Sequence, residues 1–139
     1  MPRLDQNNMY IKNKQKVMCK LTAILGATTI SLSIVFINIY EGENKFVSFS
    51  NNMFFTGTML LTLSIIINFI KNIFIFKNRK YFAGKNIKTK GIDEQTLAAL
   101  DNKERKVFLK YELFVIVSRS FVIAGVINFV ISAIIVLLV

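Results

Sequence analysis

The sequence predicts an all-α membrane protein with three transmembrane helices, oriented N-in/C-out, and a basic cytoplasmic loop containing an amphipathic helix. Three observations predict it. Residues 21–40, 46–70 and 120–139 carry no charged side chain, although 19% of the chain is charged. Each block is close to the ~20 apolar residues that cross a bilayer core of ~30 Å. The charge between the blocks alternates: net +4 in residues 1–20, −1 in residues 41–52 and +6 in residues 71–112. Lys and Arg collect on the cytoplasmic side of membrane helices, so these tallies place the N-terminus inside and the C-terminus outside. The 139 residues are within the size of one domain.

Residues 1–20 form a basic cytoplasmic N-terminus, with Arg3, Lys12, Lys14, Lys16 and Lys20 against Asp5. The first span occupies residues 21–40. A basic segment followed by an apolar run also describes a signal peptide. The apolar run Leu21–Ile39 is too long for one, however, and Asn38-Ile39-Tyr40-Glu41 lacks the small residues of a cleavage site. An uncleaved span is expected. Ala23, Ala27 and Ser31 recur every four residues along it, a small-residue row that lets a second helix approach closely.

A short external loop is expected at residues 41–52, acidic through Glu41 and Glu43. The second span covers residues 53–76, with Lys71 reaching to the inner headgroups. Leu60, Ser64, Asn68 and Asn72 fall on one four-residue row.

Residues 77–112 form the basic cytoplasmic loop. Lys77, Arg79, Lys80, Lys85, Lys88 and Lys90 precede its first acid, Asp93, and should hold anionic lipid headgroups together with Lys71 and Arg119. Tyr81-Phe82 suits an interfacial anchor, and Gly84 and Gly91 mark loop breaks. Asp93 is a fitting N-cap for the amphipathic helix that follows. Its apolar stripe runs through Leu97, Leu100, Val107, Phe108, Tyr111, Phe114 and Val115, opposite Lys103, Lys106 and Lys110. Asn102 is placed to interrupt it. Such a helix is expected on the inner membrane surface, with a protein-docking face as the sharper reading.

Residues 113–139 are expected to make a juxtamembrane turn and the last span. Fourteen of the nineteen residues in Phe121–Val139 are Leu, Ile, Val or Phe. Together they contribute on the order of −4 to −8 kcal/mol of apparent insertion energy. Ser120, Ala124, Asn128 and Ser132 form a four-residue row. Facing that row to the one on the second span would bring Asn68 and Asn128 into a hydrogen bond within the membrane.

Catalytic chemistry finds no carriers here. There is no histidine, and all eight acids fall in segments read as termini or loops. Neither a poised acid–base pair nor a proton relay is expected. The single cysteine, Cys19, permits no internal disulfide. No clustered ligands suit a metal and no Gly-rich loop suits a nucleotide, so no enzyme activity, metal or cofactor is expected. The +10 charge is accounted for by membrane flanks, which leaves no reason to expect nucleic-acid binding.

Residues 50–139 resemble a family of small bacterial multi-pass membrane proteins known as a domain of unknown function. The likeness lies in Asn52-Met53-Phe54-Phe55-Thr56-Gly57-Thr58-Met59-Leu60-Leu61, the basic stretch after it and the closing apolar helix. It implies a bacterial cytoplasmic membrane protein, and it implies no activity and no functional residues. Three functions are compatible with the sequence. The first is a non-catalytic accessory or interaction subunit that binds a larger membrane or cytoplasmic protein. The second is an immunity protein against a membrane-active toxin or bacteriocin. The third is a small oligomeric pore, which would require a homo-oligomer. Anionic membrane lipids are expected partners in all three.

Overall fold

The computed structural model describes residues 3–39, 44–83 and 101–139, with the side chains of the first segment described from Asn13 to Ile37. Every element in them is helical: α1 (Arg3–Ile39), α2 (Lys45–Lys77), α3 (Arg79–Phe82) and α4 (Asn102–Leu138). Helices α1, α2 and α4 are each long and apolar enough to cross a membrane. Helix is the spanning structure because lipid offers no partner to a free backbone N–H or C=O.

The helices are longer than the expected spans. Helix α1 begins at Arg3, well before Leu21, so the basic N-terminus is largely helical. Helix α2 begins at Lys45, where the Asn44 Oδ1 accepts from the Phe46 N–H at 3.2 Å. Residues 45–52, expected in a loop, are therefore its first two turns. Phe46, Val47 and Phe49 lengthen the apolar segment, and an intrahelical ladder satisfies their backbone. Helix α2 stops at Asn78, whose side-chain Nδ2 and backbone N–H both donate to the Phe74 carbonyl. One turn of α3 follows.

Helix α4 starts at Asn102, capped by the Asp101 carboxylate, which accepts from the Asn102 N–H at 2.7 Å. Asn102 thus opens a helix, with the non-helical Asp101 before it, as an interruption at this point would require. The turn expected before Phe121 is absent, and from Asn102 onward the amphipathic segment and the last span are one 37-residue helix. At 1.5 Å per residue that is about 56 Å, nearly twice the hydrocarbon core. Asp93, Leu97 and Leu100 lie outside the described residues, as do Glu41 and Glu43.

The apolar stripe at the start of α4 faces protein. Phe108 and Tyr111 are buried with Phe82, and Phe74, Ile75, Tyr81, Val107 and Val115 pack around them. The Phe82 ring lies 5.1 Å from that of Phe108 and 5.6 Å from that of Tyr111, both edge to face. Phe82 is thus a core residue and not an interfacial anchor. The break at Asn78 turns it back onto α4.

Candidate functional site

The centre of the molecule is the seam between α2 and α4. Ser50, Gly57 and Ser64 are buried on α2; Ser118, Gly125 and Ser132 are buried on α4. Both triplets have the seven-residue spacing that keeps a seam on one face of a paired helix. The helices are antiparallel, and the triplets meet member to member. The Ser50 Oγ donates to the Ser132 carbonyl and the Ser132 Oγ to the Ser50 carbonyl, each at 3.0 Å. At the other end the Ser64 Oγ lies 3.1 Å from the Ser118 carbonyl and 3.0 Å from the Ser118 Oγ. Between these serine pairs the glycines touch. A Cβ built on Gly57 would stand 3.1 Å from the Gly125 carbonyl oxygen, and one on Gly125 would stand 3.0 Å from the Leu61 side chain. Small residues let the backbones close, and the serines satisfy themselves across the gap.

Asn128 is fully buried beside this seam and joins all three long helices. Its Nδ2 donates to the Thr56 Oγ1 on α2, and its Oδ1 accepts from the Thr29 Oγ1 on α1, both at 3.3 Å. Asn68 is elsewhere, its Oδ1 accepting from the Lys71 Nζ at 2.8 Å. The expected Asn68–Asn128 bond is not formed. Asn128 is level with Thr56, and the twelve residues from Thr56 to Asn68 are about 18 Å of helix. The expectation equated depth from assumed span ends, whereas the Ser-Gly-Ser triplets set the register.

Of the other expected packing residues, Ser64, Ala124 and Ser132 are buried, Ser64 and Ser132 in the seam between α2 and α4. Ala23, Ala27 and Ser31 are exposed on α1, and the Ser31 hydroxyl donates to the Ala27 carbonyl of its own helix. Within the apolar part, helix α1 meets the others through Thr29 and Ser33 instead, the latter 3.4 Å from the Met53 sulfur. Nearer the basic end, the Met18 carbonyl accepts from the Ser120 hydroxyl at 3.4 Å. The row is therefore not a contact between helices of this chain.

The basic end contains an acid that the sequence places in a loop. Glu112 is buried on α4 and forms an ion pair with Lys14 of α1. Beside it, Lys71 and Arg119 line an open cavity of ≈ 430 Å³ together with Asn68 and Tyr111. Lys71 and Tyr111 also line an adjoining cavity of ≈ 490 Å³ that takes in Arg79. Arg79, Lys77 and Lys80 are exposed, with the Lys80 Nζ 4.9 Å from the centre of the Tyr81 ring. Lys85, Lys88 and Lys90 lie outside the described residues.

Sequence reasoning missed Ser50, Gly57, Ser118, Gly125, Thr29, Thr56 and the Lys14–Glu112 pair. A signal for the seam was present. Each helix carries Ser-x6-Gly-x6-Ser, a pattern that reads the same in both directions and so fits antiparallel pairing.

Comparison with known protein families, curated proteins and solved structures finds no match to this chain.

Proposed function

We propose that the chain is a non-catalytic accessory subunit of the bacterial cytoplasmic membrane, N-in and C-out, that docks a partner protein through the basic start of α4. The observation that carries this reading is the covered apolar stripe. With Phe108 and Tyr111 turned onto Phe82, the stripe expected to lie on a membrane is covered by protein, and the large apolar side chains this segment leaves exposed are Leu109 and Leu113 beside its lysines. Helix α4 exceeds a ~30 Å core by about 25 Å, enough to project the segment into the aqueous phase. Lys103, Arg105, Lys106 and Lys110 are exposed there and suit an acidic protein surface. The charge tallies support the orientation.

The test is affinity purification of the N-terminally tagged full chain in mild detergent, with mass spectrometry of co-eluting proteins. The proposal expects a stoichiometric partner that is lost when Lys103, Arg105, Lys106 and Lys110 are all changed to Glu. Retention of the same partner by that variant would refute docking through α4. A secreted toxin as the partner would assign the immunity role. A homo-oligomer without a partner would replace the accessory reading with the pore.

A further inference from the structure

At the basic end, α1, α2 and α4 do not close. The cavity holding Lys71 and Arg119 continues into a second one, ≈ 520 Å³, and the two share Met18 and Ile123. Their characters differ. Around the first, Lys71 and Arg119 supply positive charge, and Asn68, Tyr111 and Ser118 supply hydrogen-bonding groups. Lys71 is held toward this space by its bond to the Asn68 Oδ1. Glu112, the acid next in sequence to Tyr111, is taken up by Lys14, and Arg119 has no ion-pair partner among the described residues.

The second cavity is an apolar groove between α1 and α4. Gly26 and Ala27 form its α1 side, and Ile123 and Ile127 its α4 side. Nothing lies within 4 Å of a Cβ built on Gly26, so the groove is open there. It follows α1 from Met18 to Ile30, about 18 Å of helix, against roughly 15 Å for one leaflet of the hydrocarbon core.

A cationic mouth over a leaflet-deep apolar groove has the two-part character of one phospholipid. We propose that this track is a binding site for a single anionic phospholipid. Its phosphate lies between Lys71 and Arg119, within reach of the Tyr111 hydroxyl, and one acyl chain runs between α1 and α4. Basic pockets between membrane helices recognise anionic headgroups in this way. The small residues of α1 leave room for a chain, so Ala23 and Ala27, exposed within this chain, line the lipid groove. The site is independent of the protein-docking segment of α4.

The experiment is native mass spectrometry of the full-length protein in mild detergent, titrated with phosphatidylglycerol, with phosphatidylcholine or with inorganic phosphate. One phosphatidylglycerol should be retained in preference to phosphatidylcholine, and inorganic phosphate should not displace it. Changing both Lys71 and Arg119 to Gln should weaken that retention about tenfold or more. The same charge change at Lys103 and Lys106, outside the cavities, should leave it unaltered. Ala27→Leu, which fills the groove and keeps both cations, should weaken retention without altering secondary structure. Equal losses from the two charge variants would overturn the proposal in favour of general attraction to the basic end. Displacement by phosphate would overturn it in favour of a free-anion site, and equal retention of the two lipids would overturn the headgroup assignment.

Discussion

Helices α2 and α4 are joined by a seam of close-packed small residues, whereas α1 is held at points. The α2–α4 seam has glycine against glycine, with a reciprocal serine pair to one side and a second serine pair to the other. Helix α1 touches the pair through the Thr29–Asn128 bond, the Ser33–Met53 contact, the bond from the Ser120 hydroxyl to the Met18 carbonyl and the Lys14–Glu112 ion pair. Its leucines, isoleucines and valines face mostly outward. The difference teaches which residues join helices in lipid. Apolar area gives no preference for a neighbouring helix over an acyl chain, so small residues and satisfied polar groups decide. The last span has the richest supply of large apolar side chains, and those side chains mostly look away from α2.

The sharpest way to break the contrast is to force the seam apart. Gly57→Leu places a branched side chain where the Gly125 carbonyl oxygen already stands 3.1 Å from a mere Cβ. A loss of about 3 kcal/mol is expected, measured by unfolding in detergent. Gly26→Leu, where a Cβ meets nothing within 4 Å, should leave stability within about 0.5 kcal/mol of the parent. Equal effects at the two glycines would erase the distinction between the helices.

Next in size is the ion pair. Glu112 is 4% exposed, so Glu112→Ala removes the partner of Lys14 and should cost roughly 2 kcal/mol. That is less than for a fully buried pair because the Lys14 side chain keeps 24% of its exposure. A double-mutant cycle with Lys14→Met measures the coupling, and a coupling of zero would show that the pair does not tie α1 to α4.

Smaller again is Asn128→Leu. Two interhelical hydrogen bonds at about 0.6 kcal/mol each give a loss near 1 kcal/mol. The smallest effect is expected at Asn68, whose described partner is Lys71 on its own helix. Asn68→Leu should change stability by under about 0.5 kcal/mol. A larger loss at Asn68 than at Asn128 would reverse the assignment of the buried node.

Much of this architecture is written locally. Three uncharged blocks separated by charged segments require three long helices, because lipid tolerates little else. Helix ends were less legible. The Asn44 and Asp101 caps and the stop at Asn78 draw on side-chain bonds that hydropathy does not register. Contact faces were legible only with the right period. A four-residue row correctly groups Ser120, Ala124, Asn128 and Ser132, all buried, but the same row on α2 runs from Leu60 and Ser64 out to Asn68 and Asn72, away from the seam. Seven-residue spacing instead finds Ser50, Gly57 and Ser64 together. The Lys14–Glu112 pair joins residues 98 apart, and no local pattern could announce it.

The register of α2 on α4 is the central claim, and cysteine cross-linking tests it most directly. In a Cys19→Ser background, cysteines would be placed at Ser50 with Ser132, at Ser64 with Ser118, and at Asn68 with Asn128, and each full-length variant oxidised in membranes. A disulfide needs Cα atoms within about 7 Å. The seam predicts intramolecular cross-links for both serine pairs and none for the asparagine pair. A cross-link between positions 68 and 128, with neither serine pair closing, would contradict it.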